Sequence, residues 1–401
     1  MEFGSVLFTL SLFWISGNFF FYSGKLHQLA FSIIFLLGAI WLLYKLPMNN
    51  FSTLFKSTIF KLSFLYCALY LLSLIWSAPL PWSITIGEIK KVLYLLCFWM
   101  VMHFSVISTQ RLNRLIQVTI IVALLALVIH TTFFYGFENG TLSSRLTSFG
   151  KLSNPLWFGA IYGAMAVITC GVAFHQLEKL SVSSKFGYFL VYLLFGLATL
   201  LTHSRGPIAA LIIISVYLFF SSTLPLISKI KGVVFGGIIS VLLYFTLMSF
   251  FKSDIERGQS YRLDLWVGFL EKAKVKLILG YGAGKDVYID APGQFVDGWK
   301  YFHNAYLGSL VQMGVIGLIL HLALIVATLA IGWRHRSDPY VRIAMAVFSY
   351  ACIINITFGQ GIVTRINTQW VIFWLPLIII ASVEVKYRLH TGKQDINLAL
   401  I

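Results

Sequence analysis

The chain has 401 residues, of which 59% are hydrophobic and 11% charged, and its mean hydropathy is +0.85. Charge that sparse cannot solvate the surface of a water-soluble globule, and apolar runs of bilayer-crossing length recur from one end to the other. A formal charge of +16 would suit a nucleic-acid partner, but the cations are spread over many loops in an alternating bias, which argues against one and for membrane orientation.

Hydrophobic runs predict about twelve transmembrane helices, near 5–23, 28–44, 60–77, 92–108, 115–135, 155–175, 186–202, 206–222, 232–251, 304–333, 343–360 and 367–385. Backbone inside a bilayer must satisfy its own hydrogen bonds, so these are helices rather than strands. The fold class is therefore all-α, a polytopic integral membrane protein, with residues 1–401 forming a single transmembrane domain. The opening "MEFGSVLFTLSLFW" has Glu2 in place of a basic n-region and no small-residue cleavage site follows, so the first helix is expected to be retained. With both termini cytoplasmic, one set of loops carries twelve cations, from Lys45 and Lys56 through Arg111 and Lys229 to Arg342. The opposite short loops carry about half as many: Lys25, Lys90, Lys91, Arg145, Lys151, Arg205 and Arg365. That asymmetry places the 252–303 loop outside. Cys67, Cys97, Cys170 and Cys352 fall within apolar helices at no metal-like spacing and read as packed thiols.

The 252–303 loop is unusual in length and holds half of all the acids, from Asp254 to Asp297, nearly balanced by Lys and Arg. A structureless loop of that length is rare, so it should carry structure or function. From Ser260, a candidate N-cap, Tyr261, Leu265, Trp266, Phe269, Leu270 and Ala273 recur at helical spacing. Such an amphipathic helix would lie on the bilayer or cover the bundle. "GYGAG" at Gly280 lacks the strand, helix and parallel sheet of a dinucleotide site. Gly280, Gly282 and Gly284 instead read as a turn with close backbone approach. The scattered acids form no tight metal-ligand cluster, and no P-loop or nucleophile elbow occurs.

Three stretches place chemistry at helix mouths on the outer side. In "KYFHNAYLGSLVQMGVIGLIL", an ideal helix would set Gly314 about 20° from the His303 direction and Gly317 about 40° to the other side. A neighbouring helix could then pack closely beneath the histidine. By geometry alone, a functional His303 and an interfacial histidine above an ordinary packing seam remain open. In "LTHSRGPIAAL", Pro207 suits a first helical turn, and Arg205 would lie at a helix N-terminus, where an anion is favoured. A snorkelling arginine in a tight hairpin is the rival reading. In "SYRLDLW", Arg262 opens the loop helix, where a cation opposes the helix dipole unless it serves an outside anion. An ordinary solvated arginine is the alternative.

These stretches together resemble the O-antigen ligase and polymerase superfamily. The resemblance rests on "HSRG" opening a transmembrane helix, an arginine beginning a helix in one large outer loop, and "HN", nine residues, then "GVIG". "SRLTSFGKLSNPLWFG" is a weaker match, and the likeness is close over about 145–320 only. Among its members, the resemblance points to a ligase. The resemblance implies a GT-C-like membrane glycosyltransferase of the bacterial inner membrane, active on its periplasmic face. Its donor would be an undecaprenyl-diphosphate-linked glycan and its acceptor a sugar hydroxyl of lipid A–core. Transfer would proceed with inversion, with no metal or other cofactor. His303 would be the catalytic general base, and Arg205 and Arg262 would bind the diphosphate. Asn304, Arg145 and Arg365 would be further substrate-binding residues.

Within the superfamily the alternatives are an O-antigen polymerase and a protein O-glycosyltransferase. Polymerases more often carry two long outer loops, and protein glycosyltransferases a sizeable C-terminal domain, whereas about sixteen residues follow the last predicted helix here. A lipid or solute transporter should show ionisable residues mid-helix or a repeated half-structure. A structural assembly partner would tolerate loss of His303.

Overall fold

The computed structural model describes residues 3–77, 79–106, 108–175, 181–222, 224–231, 262–289 and 299–391. The predicted span 232–251, the start of the long loop with Ser260 and Tyr261, and Asp290 and Asp297 lie outside the described residues. The other eleven predicted spans are all helical. They form α1 (Phe3–Phe20), α2 (Gly24–Lys45), α3 (Thr58–Leu72), α4 (Trp82–Val106), α5 (Thr109–Phe137) and α6 (Pro155–His175). There follow α7 (Val182–Leu201), α8 (Arg205–Phe220), the loop helix α9 (Arg262–Val275), α10 (Ala305–Arg334), α11 (Pro339–Ile354) and α12 (Trp370–Leu389). Seven of these are long and apolar enough to cross a membrane, or eight if α3 and the short helical segment Met48–Lys56, bent 94° from it, are one span. The chain is thus an all-α, multi-pass membrane protein; among the described residues, the extended structure is limited to one isolated bridge, Ile289 to Trp299.

Local chemistry starts these helices where they begin. Ser57, Ser181, Asn304 and Asp338 accept bonds from the first free N–H groups of α3, α7, α10 and α11, and Pro339 adds the fixed φ suited to a first turn. Helices α6 and α12 are the inner pillars, each 83% buried over its apolar window, whereas α7 is 17% buried and turns Phe186, Leu190, Leu193 and Leu197 outward. An apolar exterior of that kind is what lipid requires and water penalises. Close packing around α6 depends on glycine. A Cβ on Gly163 would overlap the Tyr350 hydroxyl of α11, and one on Gly171 would come within 2.9 Å of Ile343.

The connections on one side of the bundle meet each other. Leu146 N donates to Leu201 O (2.8 Å), Ala305 N to Asn355 O (2.9 Å) and Ala283 N to Ser73 Oγ (2.9 Å). Trp157, at the start of α6, meets the Phe358 ring edge-on at 4.4 Å. One end of the bundle is therefore a knitted platform made from loops far apart in sequence.

The loop helix covers this end rather than lying apart from it. Leu265, Phe269 and Ala273 bury against Phe302, Leu307 and Val311, and Trp266 Nε1 donates to Phe302 O at 3.1 Å. Burial of Leu265 and Phe269 stabilises the docking by about 1.5–3 kcal/mol each. After α9 the chain turns through Gly280, Gly282 and Gly284, at φ +70°, +88° and +75°, which bears out the turn read from "GYGAG".

Helix α10 departs from the ideal geometry that placed Gly314 and Gly317 beneath His303. His303 precedes the helix, at φ +48°, and Gly314 breaks it at φ +65°, ψ −165°. Backbone groups freed by the break are taken up by the loop: Tyr281 N donates to Val311 O (2.9 Å), Gly282 N to Gln312 O (2.8 Å) and Val315 N to Leu277 O (2.8 Å). The angular argument from an ideal helix therefore fails, and the glycine instead admits the loop backbone. A Cβ on Gly314 would overlap the Ile278 carbonyl. Because only glycine tolerates this φ/ψ, Gly314→Ala is expected to destabilise the fold by about 3 kcal/mol or more. Thermal unfolding of the purified variant, or its failure to accumulate, would report this.

Candidate active site

His303 stands at the mouth of α10, half-buried, with the Trp299 and Tyr301 rings 5.8 and 6.3 Å from its own. Its left-handed backbone is uncommon outside glycine and costs about 1–3 kcal/mol. That turn lets the next residue, Asn304, cap α10: its Oδ1 accepts from Tyr306 N and Leu307 N, both at 3.0 Å. Asn304 is thus a capping residue, and only its amide NH₂ remains to meet a sugar. Burial, and then the Arg262 charge, lower the His303 pKa below its usual 6.5. The ring is accordingly neutral at pH 7, with a lone pair able to accept a proton.

Arg262 is the first residue of α9 and is half-buried. Burial lowers its pKa, and the second cause is the charge of Arg205. Three residues separated by as much as 98 positions in the chain are therefore linked electrostatically, His303 to Arg262 and Arg262 to Arg205. Two guanidinium groups near enough to repel form a place where an anion is favoured, and their planar forks suit phosphate oxygens.

Arg205 is exposed at the first position of α8. The preceding turn is tight: His203 is buried at φ +53°, and its N–H donates to Leu200 O at 2.9 Å. Gly206 fits here because a Cβ would overlap the Thr357 hydroxyl. Arg145 fastens the turn from outside, Nε donating to Thr202 O (3.0 Å) and Nη2 to Ser204 Oγ (3.1 Å). Ser204 Oγ in turn donates to Pro155 O at 3.2 Å. The structure thus gives Arg145 a bracing role beside Arg205, with its guanidinium already engaged by the turn.

Arg365 lies elsewhere on the same end, in the wall of a cavity of about 530 Å³. The cavity is lined by Tyr301 and Phe302, directly before His303, and by Glu88, Lys91, Trp157 and Lys285. Neither Arg205 nor Arg262 lines it. Glu88 belongs to none of the motifs quoted from the sequence. The available signal was that Glu88 is the sole acid between Glu2 and Glu138 and sits inside an apolar helix, where an ionisable residue is expensive and usually functional.

Comparison with known proteins agrees with these motifs. Residues 190–322 match the Wzy_C family model, described as O-antigen ligase, which takes in Arg205, Arg262 and His303. An O-antigen ligase of Pseudomonas aeruginosa is 22% identical over 330 residues, covering 82% of this chain and 78% of its own length. The superfamily resemblance read from "HSRG" and "HN…GVIG" is thereby borne out.

Proposed function

We propose that this chain, similar to O-antigen ligases over residues 190–322, is itself a ligase that transfers a glycan from undecaprenyl diphosphate to a sugar hydroxyl of lipid A–core. The observation that carries the reading is the chain of charge from Arg205 to Arg262 to a neutral, half-buried His303 at one end of a membrane bundle. Both substrates are lipid-anchored, so a site at the membrane edge can receive each from the bilayer. His303 takes the proton of the acceptor hydroxyl as its oxygen bonds to the anomeric carbon. The bond from that carbon to the diphosphate oxygen breaks on the opposite face, with inversion, and the electron pair leaves with the diphosphate. Arg205 and Arg262 hold that growing negative charge, a task that preorganised cations perform without reorganisation. Burial and the Arg262 charge disfavour the imidazolium and speed return of the proton to water. In this reading the site faces the periplasm from the inner membrane, with both termini cytoplasmic, as the loop cations suggest.

The test is reconstitution of the purified protein with undecaprenyl-diphosphate glycan and lipid A–core. Transfer to the core supports the ligase. Elongation of the donor glycan with the core ignored would replace the ligase by a polymerase.

The same reading fixes a pH dependence. A base must be deprotonated, so kcat/KM should be level above about pH 6.5 and fall as pH drops through the lowered His303 pKa. Arg262→Gln removes one of the two causes of that lowering, so the midpoint of the acid limb should move upward, toward 6.5. It should stop short of the full shift, because burial is the larger cause. A midpoint unmoved by Arg262→Gln would separate the two residues functionally.

A further inference from the structure

The cavity before His303 is built like a saccharide site with a charge to satisfy. Glu88 is 7% exposed, accepting from Tyr70 Oη at 2.6 Å and from Lys91 Nζ at 2.7 and 2.6 Å through its two oxygens. A carboxylate offers about four acceptor positions, so Glu88 retains capacity for a hydroxyl donor. Trp157, backed by Phe358, supplies an aromatic wall, and Gln312, Gln360, Asn367 and Gln369 supply amides. Sugars present just this need, a ring of hydroxyls around apolar C–H faces. Thr364 and Gln369 also line the cavity, and Thr364 Oγ1 and Gln369 Oε1 are buried without a hydrogen-bond partner in the protein. Buried polar atoms left so are costly unless something else satisfies them.

The wall charge is lopsided. Lys91, Lys285, Lys300 and Arg365 face two acids, Glu88 and Asp286, which Lys91 and Lys300 already hold at 2.6 and 2.8 Å. A second cavity, of about 280 Å³, shares Lys91, Thr364 and Arg365 as walls and adds Lys90. The excess of cations favours a ligand that brings negative charge, and the larger volume lies within the about 300–1,000 Å³ of small-molecule sites.

We infer that this cavity binds the acceptor, as a phosphate-bearing saccharide, with Arg365 and Lys285 on the phosphate and Glu88 and Trp157 on the sugar. The inference rests on the proposed transfer reaction. Inversion puts nucleophile and leaving group on opposite faces of the anomeric carbon. The paired arginines suit the leaving diphosphate, and the cavity contains neither of them yet is walled by Tyr301 and Phe302, the two residues directly before the base that must reach the acceptor hydroxyl.

The test measures binding of lipid A–core, and of lipid A–core stripped of its phosphates, to the full-length His303→Ala protein in detergent, where turnover does not intrude. Adding Arg365→Ala and Lys285→Ala, both at loop positions, should raise Kd for the phosphorylated compound at least tenfold. Kd for the stripped compound and for the undecaprenyl-diphosphate glycan should stay within twofold. Trp157→Ala should weaken both core compounds, and Trp157→Phe should restore part of the loss. An unchanged Kd for phosphorylated core, or an equal loss for the donor, overturns the assignment. Should wild type transfer no glycan to the core while this binding pattern holds, the ligase reading fails and the cavity assignment stands as a binding site.

Discussion

His303→Ala is expected to lower kcat for glycan transfer by about 10³-fold while donor Kd stays within twofold. General-base catalysis contributes about 10²–10⁴-fold, and His303 is the histidine that stands half-buried at the mouth of α10. The ring is neutral in the resting protein, so its removal deletes no charge from the diphosphate side. Alanine at φ +48° carries a backbone strain of its own, and a loss of activity must be told apart from a loss of fold. His303→Asn provides that separation, because asparagine tolerates the left-handed region and has no basic nitrogen. Both variants should unfold near the wild-type temperature and both should fail to transfer, as measured by single-turnover transfer to lipid A–core in detergent. Transfer at more than about a tenth of the wild-type rate by a folded His303→Asn protein would remove histidine from the mechanism.

Arg205→Ala and Arg262→Ala should each weaken donor binding by about tenfold to a hundredfold, the equivalent of one charge-assisted hydrogen-bonded contact of about 1.5–3 kcal/mol. Each should also lower kcat, since the charge they meet is greatest as the diphosphate departs. Lysine at either position should recover only part of the loss, because a point charge lacks the fork that spans two phosphate oxygens. Stability gives a second readout. The Arg205 charge raises the cost of ionised Arg262 in the empty protein, so removing one of them should leave the unfolding temperature unchanged or higher without donor. The rise in unfolding temperature on adding undecaprenyl-diphosphate glycan should be lost. If the arginines were only structural, the order would reverse, with a lower temperature in the empty protein and an intact response to donor.

The local sequence determined what depends on composition and on spacing along one element. Apolar runs located eleven helices that the structure describes, because a bilayer leaves backbone few choices. Gly280, Gly282 and Gly284 announced a turn, and the spacing of Leu265, Phe269 and Ala273 announced one buried face of α9. The family motif drew attention to His303, Arg205 and Arg262, though no local pattern could say that they meet. The electrostatic linkage of Arg262 to His303 was decided by packing, through α9 folding onto Phe302 and the Gly314 break taking up the loop backbone. For the same reason an ideal-helix angle misplaced the glycines: a hydrogen-bonding competitor from residues 277–282 interrupts α10, and periodicity within α10 carries no trace of it. Asn304 and Arg145 looked like ligand groups in sequence, yet much of their hydrogen-bonding capacity is engaged by backbone brought near in the fold. The cavity of Glu88, Trp157, Lys285 and Arg365 draws on four distant segments, so its existence belongs wholly to the tertiary structure.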